Sequence, residues 1–123
     1  MTKNEFYDKW LSVFASGISK EDMEKYIVSY GNYIWHAFSW ELLDKSAYLV
    51  GDAARAAYDS IDKSDAICLR WFDDDQVQEI SEDLCKAKAL DDQHEIYVVS
   101  KDFTWTYIKT HEHDLCGPYF MKR

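Results

Sequence analysis

The stretch Glu95-Ile96-Tyr97-Val98-Val99-Ser100-Lys101-Asp102-Phe103-Thr104-Trp105-Thr106-Tyr107-Ile108-Lys109-Thr110 decides the fold class. Two runs rich in β-branched and aromatic residues, Glu95 to Val99 and Thr104 to Thr110, flank a short polar linker. That spacing predicts an antiparallel hairpin. Side chains alternate across a strand, so Trp105, Tyr107 and Lys109 share one face, and Thr104, Thr106, Ile108 and Thr110 share the other.

Upstream, Ala66 to Phe72 is also strand-like, and the run Asp73-Asp74-Asp75 ends it because adjacent carboxylates favour solvated turns. Residues 76–90 mix helical spacing (Val77, Ile80, Leu84, Ala87) with a capping serine, Ser81. An alanine-rich run, Ala53 to Tyr58, predicts a helix that starts near Asp52, whose carboxylate can cap it. Tyr33 to Trp40 carries aromatic residues on both alternating faces and reads as a buried strand.

The N-terminal third is helical. Thr2-Lys3-Asn4-Glu5 has the form of a capping box, and Phe6, Trp10, Val13 and Phe14 form one apolar stripe behind it. Gly17 is expected to end this helix. Ser19 opens a second one, which buries Met23, Tyr26, Ile27 and Tyr30 and stops at Gly31. The expected fold is therefore α+β: an N-terminal helical hairpin and a further helix, packed on a small, mainly antiparallel sheet that ends in a C-terminal hairpin. At 123 residues, residues 1–123 are expected to form a single domain.

Hydrophobic residues make up 47% of the chain and aromatic residues 16%, enough to build a core and too much for a disordered segment. The three cysteines, Cys68, Cys85 and Cys116, are odd in number and lack a CxxC spacing, so thiols in a reducing compartment are expected. No apolar signal core and no run of membrane-spanning length is present, which makes a cytoplasmic location and no membrane association the expectation.

The net charge is −9, and Asp73 to Glu95 holds nine acidic residues against Lys86 and Lys88. Such a field repels nucleic acid and attracts a basic protein partner. Asp73, Asp74 and Asp75, with the aromatic anchors Trp35, Trp105 and Tyr119, are the candidate binding residues.

The segment His111-Glu112-His113-Asp114-Leu115-Cys116 offers two imidazoles, a carboxylate and a thiol. His111, His113 and Cys116 are candidate metal ligands by residue type alone, without HExxH or paired CxxC spacing. His36, His111, Glu112 and Cys116 are the candidate catalytic groups, His36 and His111 for proton transfer and Cys116 as a nucleophile. A histidine satisfied inside the core is the competing role for His36. Phosphate-binding loops and the GxSxG motif are absent, and no cofactor is expected.

Two blocks, Trp35-His36-Ala37-Phe38-Ser39 and Tyr97 to Glu112 followed by Cys116-Gly117-Pro118-Tyr119-Phe120, resemble a family of small acidic proteins of Bacillus-type bacteria, a domain of unknown function. The marks of that family are WHxFS, YVVxKxFxWTYxxTHE and CGPYF. The resemblance implies no activity to transfer. It directs attention to Trp35, His36, Trp105, His111, Glu112 and Tyr119, and His113 lies outside its motif positions.

Three functions follow as expectations. The first is an immunity or antitoxin-like binding module that occludes a basic partner. The second is a small metal- or His-dependent hydrolase, which requires His36 and His111 to converge. The third is a structural or regulatory module, with an aromatic pair such as Trp35 and Trp105 on neighbouring strands.

Overall fold

The computed structural model describes residues 1–112 and 115–123. Helix α1 (Lys3–Phe14) starts as its sequence requires: the Thr2 hydroxyl accepts from the Glu5 amide, and the Glu5 carboxylate accepts from the Thr2 amide. The second helix opens as α2 (Lys20–Asp22), capped by Ser19, widens into a π-helical turn (Met23–Ile27) and closes as a 3-10 turn (Val28–Tyr30). Gly31 ends it in the left-handed region, at φ +83°. Gly17 does not do the same for α1. That helix already stops at Phe14 with Ala15 as its cap, and Gly17 stays outside the left-handed region.

Tyr33 to Trp40 is not a strand. The chain turns through Gly31 and Asn32 and then winds into α3 (His36–Ser39). The amides of His36, Ala37 and Phe38 are taken up by the carbonyls of Tyr33, Ile34 and Trp35, which leaves no ladder to pair. Ile34, Ala37 and Phe38 are buried at helical spacing. Trp35 and His36, falling between them, fill the alternate positions and so imitate a two-faced strand.

A 3-10 turn (Lys45–Ala47) leads into β1 (Tyr48–Val50), and α4 (Asp52–Ser60) follows. Gly51, at φ +67°, precedes α4, and Asp52 stands in its first turn rather than capping it. The Asp52 carboxylate instead accepts from Arg55 at 3.1 Å. The remaining elements are β2 (Ala66–Arg70), β3 (Gln78–Glu79), a 3-10 turn (Glu82–Leu84), α5 (Ala87–Leu90), β4 (Ile96–Ser100), β5 (Trp105–Lys109) and β6 (Tyr119–Lys122).

The strands form one antiparallel sheet in the order β1-β6-β5-β4-β2-β3. Its centre is the expected hairpin, with Val98 opposite Tyr107. The fold class is α+β. Helices cover both faces, and the strand alternation sorts the core accordingly. Against one face α1, Ile34, Trp35 and Phe38 pack on Leu69, Tyr97, Val99 and Ile108. Against the other, Ala54 and Tyr58 of α4 and Leu90 of α5 pack on Val98, Trp105, Tyr107 and Phe120.

Trp35 and Trp105 therefore lie on opposite faces of the sheet and cannot pair. The sheet also binds its helices by polar contacts. The Trp10 indole donates to the Thr106 hydroxyl at 3.0 Å, and that hydroxyl donates to the Val98 carbonyl. No helix among the described residues is long and apolar enough to cross a membrane.

Candidate functional site

Glu95 immediately precedes β4, in the same alternation as Tyr97 and Val99, so its side chain enters the core beneath α1 and α3. Its carboxylate is wholly shielded from solvent. One oxygen, Oε1, accepts from the Trp35 indole at 3.1 Å, from the His111 amide at 3.1 Å and from His111 Nδ1 at 2.6 Å. The other accepts from the Tyr97 hydroxyl. Burial, followed by the nearness of Glu95, pushes the Tyr97 phenol well above its ordinary range, so that hydroxyl keeps its proton and donates.

The corner that carries Glu95 is pinned from below. Lys109 Nζ reaches the carbonyls of Gln93 and His94, and burial moves that ammonium below its usual value.

His111 stands at the edge of this network with its side chain 23% exposed. A carboxylate accepts only, so Nδ1 donates to Glu95, and in the uncharged form of the ring the lone pair is on Nε2. Nε2 faces the Glu112 carboxylate at 4.0 Å, too far for a hydrogen bond. The ring is framed by Tyr33, Trp35, Phe72 and His94, with centroids 5.0, 5.6, 5.6 and 5.5 Å away. Tyr33 is set over Gly31, where an added Cβ would lie 2.7 Å from the tyrosine ring.

His36 reaches the same aromatic group from α3. Its ring is 4.5 Å from Trp35 and 5.7 Å from Tyr33, the two rings that also contact His111. Nδ1 of His36 pairs with the Tyr26 carbonyl at 2.8 Å. Burial lowers its pKa, against the opposing pull of that carbonyl and of Glu95, which favours the neutral ring.

The other expected residues are placed elsewhere. Trp35, Trp105 and Tyr119 are buried in the two cores, at 3, 4 and 5% exposure, and present no surface to a partner. Asp74 is buried too, accepting from the Arg70 amide and guanidinium at 2.9 Å each. Asp73 and Asp75 are exposed.

Cys116 is half-buried, and burial, with Glu112 second, raises its thiol above the ordinary value. That is the opposite of an activated nucleophile. Among the described residues no group of three or more His, Cys, Asp or Glu side chains could hold a metal ion. His113 lies outside the described residues.

The acidic segment is not one solvated face. Asp74 and Glu95 are inside, while Glu79 pairs with Lys101 and Asp91 with Arg55. Sequence patterns alone miss Glu95, Tyr33, Phe72 and His94. For Glu95 the parity with Tyr97 and Val99 is the available signal.

The profile of the family described as domain of unknown function DUF4275 matches residues 3–120. The chain belongs to this family. The DUF4275 match spans both aromatic–histidine blocks and every residue of the Glu95 network. No curated protein and no solved structure matches the chain.

Proposed function

We propose that this DUF4275 chain is a protein-binding module of the immunity or antitoxin type, which docks on a basic partner and occludes it. The observation that carries this reading is a continuous belt of surface rings. It runs from Trp40 to Tyr30 (5.9 Å between centroids), His36 (6.4 Å), Tyr33 (5.7 Å), Phe72 (6.1 Å) and His94 (5.0 Å). Trp40, Tyr30 and Phe72 are 47, 55 and 49% exposed.

Isolated exposed apolar residues are ordinary, whereas a contiguous aromatic strip has the character of an interface. Exposed carboxylates flank it in the chain: Glu24 before Tyr26, Glu41 after Trp40 and Asp73 after Phe72. Lys25 Nζ sits 5.1 Å above the Tyr26 ring, which itself packs 5.3 Å from Trp40, and exposed aromatic faces of this kind attract cations. With a net charge of −9, the complementary partner is basic.

Affinity capture from the native host tests this reading. Wild type is expected to retain a basic protein in stoichiometric amount, and Trp40→Ala with Tyr30→Ala to lose it at unchanged thermal stability. Recovery of no basic partner, or equal recovery by the double variant, contradicts it.

The Glu95–His111 pair favours a second reading, a small His-dependent hydrolase in which His111 Nε2 removes a proton from water and Glu95 orients the ring. Turnover of p-nitrophenyl esters or phosphodiesters that His111→Gln abolishes supports it. Equal background rates for wild type and variant remove it.

A further inference from the structure

We infer that His111 Nε2 and the Glu112 carboxylate together form a receptor for a guanidinium group, presented by an arginine side chain of the basic partner. This inference rests on the binding-module reading above and names the group recognised at one end of its aromatic belt.

Two acceptors lie side by side at the surface. Because Nδ1 is committed to Glu95 at 2.6 Å, the uncharged form of the ring carries its lone pair on Nε2, the nitrogen nearest Glu112. Glu112 Oε1 is 4.0 Å from that nitrogen, and the two side chains are 23% and 44% exposed. Neither satisfies the other at this separation, and Nε2 has no hydrogen-bond partner among the described residues.

A guanidinium carries donors in a planar fork, with terminal nitrogens roughly 2.3 Å apart, so two of its N–H groups can reach both acceptors at once. The fork that matches two neighbouring acceptors distinguishes arginine from lysine, whose ammonium is a compact point charge.

The walls fit the same group. Tyr33 and Phe72 stand 5.0 and 5.6 Å from the His111 ring, and Phe72 is half-exposed, so aromatic rings border the two acceptors. Guanidinium groups stack on such rings while their edges make hydrogen bonds. Burial, with Glu95 and Glu112 next, raises the Tyr33 phenol, so this wall stays uncharged.

An anionic group is disfavoured at the same place, since it would meet Glu112 and lie close to buried Glu95. The buried network keeps the His111 ring from turning, because rotation about its side chain would break the Nδ1 bond to Glu95 and leave that carboxylate short of a donor. The receptor is thus preorganised by Glu95, and both of its side chains are partly exposed.

The test uses the full chain and two probes, a short capped peptide with one arginine and the same peptide with lysine. Binding is followed by the NMR signals of the His111 imidazole and the Glu112 amide at low salt and mildly alkaline pH. The arginine peptide is expected to give saturable shifts at both residues and to bind about tenfold tighter than the lysine peptide, with Glu112→Gln removing about tenfold of that affinity. Phe72→Leu, a change at an exposed ring, is expected to weaken the arginine peptide more than the lysine peptide. Absence of saturable shifts at His111, or equal responses to the two peptides in wild type and Glu112→Gln, overturns the inference.

The two readings separate cleanly. A captured basic partner whose affinity ignores Glu112→Gln leaves the binding module standing and removes the guanidinium receptor. Arginine-selective binding without any captured partner does the reverse.

Discussion

His111 Nδ1 lies 2.6 Å from Glu95 Oε1, and that contact joins the buried interior of the sheet to its aromatic rim. Glu95 receives the Trp35 indole from the start of α3, the Tyr97 phenol from β4, and the backbone amide and Nδ1 of His111. One carboxylate thus fixes the α3 segment, the central hairpin and the loop that follows β5.

Glu95→Gln tests this role. The amide offers one acceptor and places two donors among groups that already donate. Each buried donor left without its acceptor costs about 1–3 kcal/mol, and a loss of unfolding free energy of at least that order is expected in urea titration. A change below about 1 kcal/mol contradicts the central position given to Glu95.

Tyr107→Phe is expected to behave in the opposite way. The Tyr107 ring stacks on Tyr58 at 4.5 Å, and its hydroxyl is buried without a hydrogen-bond partner among the described residues. Removing an unpaired buried hydroxyl breaks no bond and relieves a desolvation cost, so stability is unchanged or rises by up to about 1 kcal/mol. A clear loss of stability in thermal unfolding reveals a partner for that hydroxyl.

At Gly31 the choice of residue is steric. The backbone there has φ +83°, and a Cβ would meet Tyr33 Cε2 at 2.7 Å. Gly31→Ala is expected to cost about 1–2 kcal/mol from the left-handed backbone alone, and to displace the Tyr33 ring from His111. Wild-type stability together with unchanged ring shifts at His111 counts against the proposed placement of Tyr33.

The pH dependence of stability carries a signature of His36. Burial depresses its folded pKa, so the unfolded chain, titrating at about 6.5, takes up its proton first. The contribution is fully present above that unfolded value. It is lost as pH falls through it toward the lower folded pKa. Comparing urea midpoints at about pH 7.5 and about pH 5.5, wild type is expected to lose more stability than His36→Gln. An equal loss in both proteins contradicts the assignment.

Much of this architecture is legible in local patterns of the chain. The Thr2–Glu5 capping box, the Phe6–Trp10–Phe14 stripe and the hairpin with Trp105 and Tyr107 on one face are set by near neighbours, and each forms as its pattern predicts. The segment around Trp35 and His36 imitates a strand because its rings serve both the core and the belt, and a short run with that double duty has no single period. β1 and β6 are three and four residues long, and pairing across the sheet defines them more than local propensity.

Glu95 reads in the sequence only as one more charge in an acidic stretch. Its burial depends on donors that arrive from Trp35 and His111, sixty and sixteen residues away. The convergence of His36 and His111 on Trp35 and Tyr33 is likewise a product of the tertiary fold, although each histidine stands out in the sequence by its residue type and motif.

The proposed binding role is tested most directly by calorimetric titration of any basic protein recovered by affinity capture against wild type, Trp40→Ala/Tyr30→Ala and a control altered on the edge strand β1, Leu49→Ala. Leu49 on β1 is exposed at 43% and lies outside the belt. The belt variant is expected to lose about a hundredfold or more in affinity, on the scale of interface hot spots, while the control binds as wild type. Equal affinity for wild type and the belt variant, or loss confined to Leu49→Ala, contradicts it.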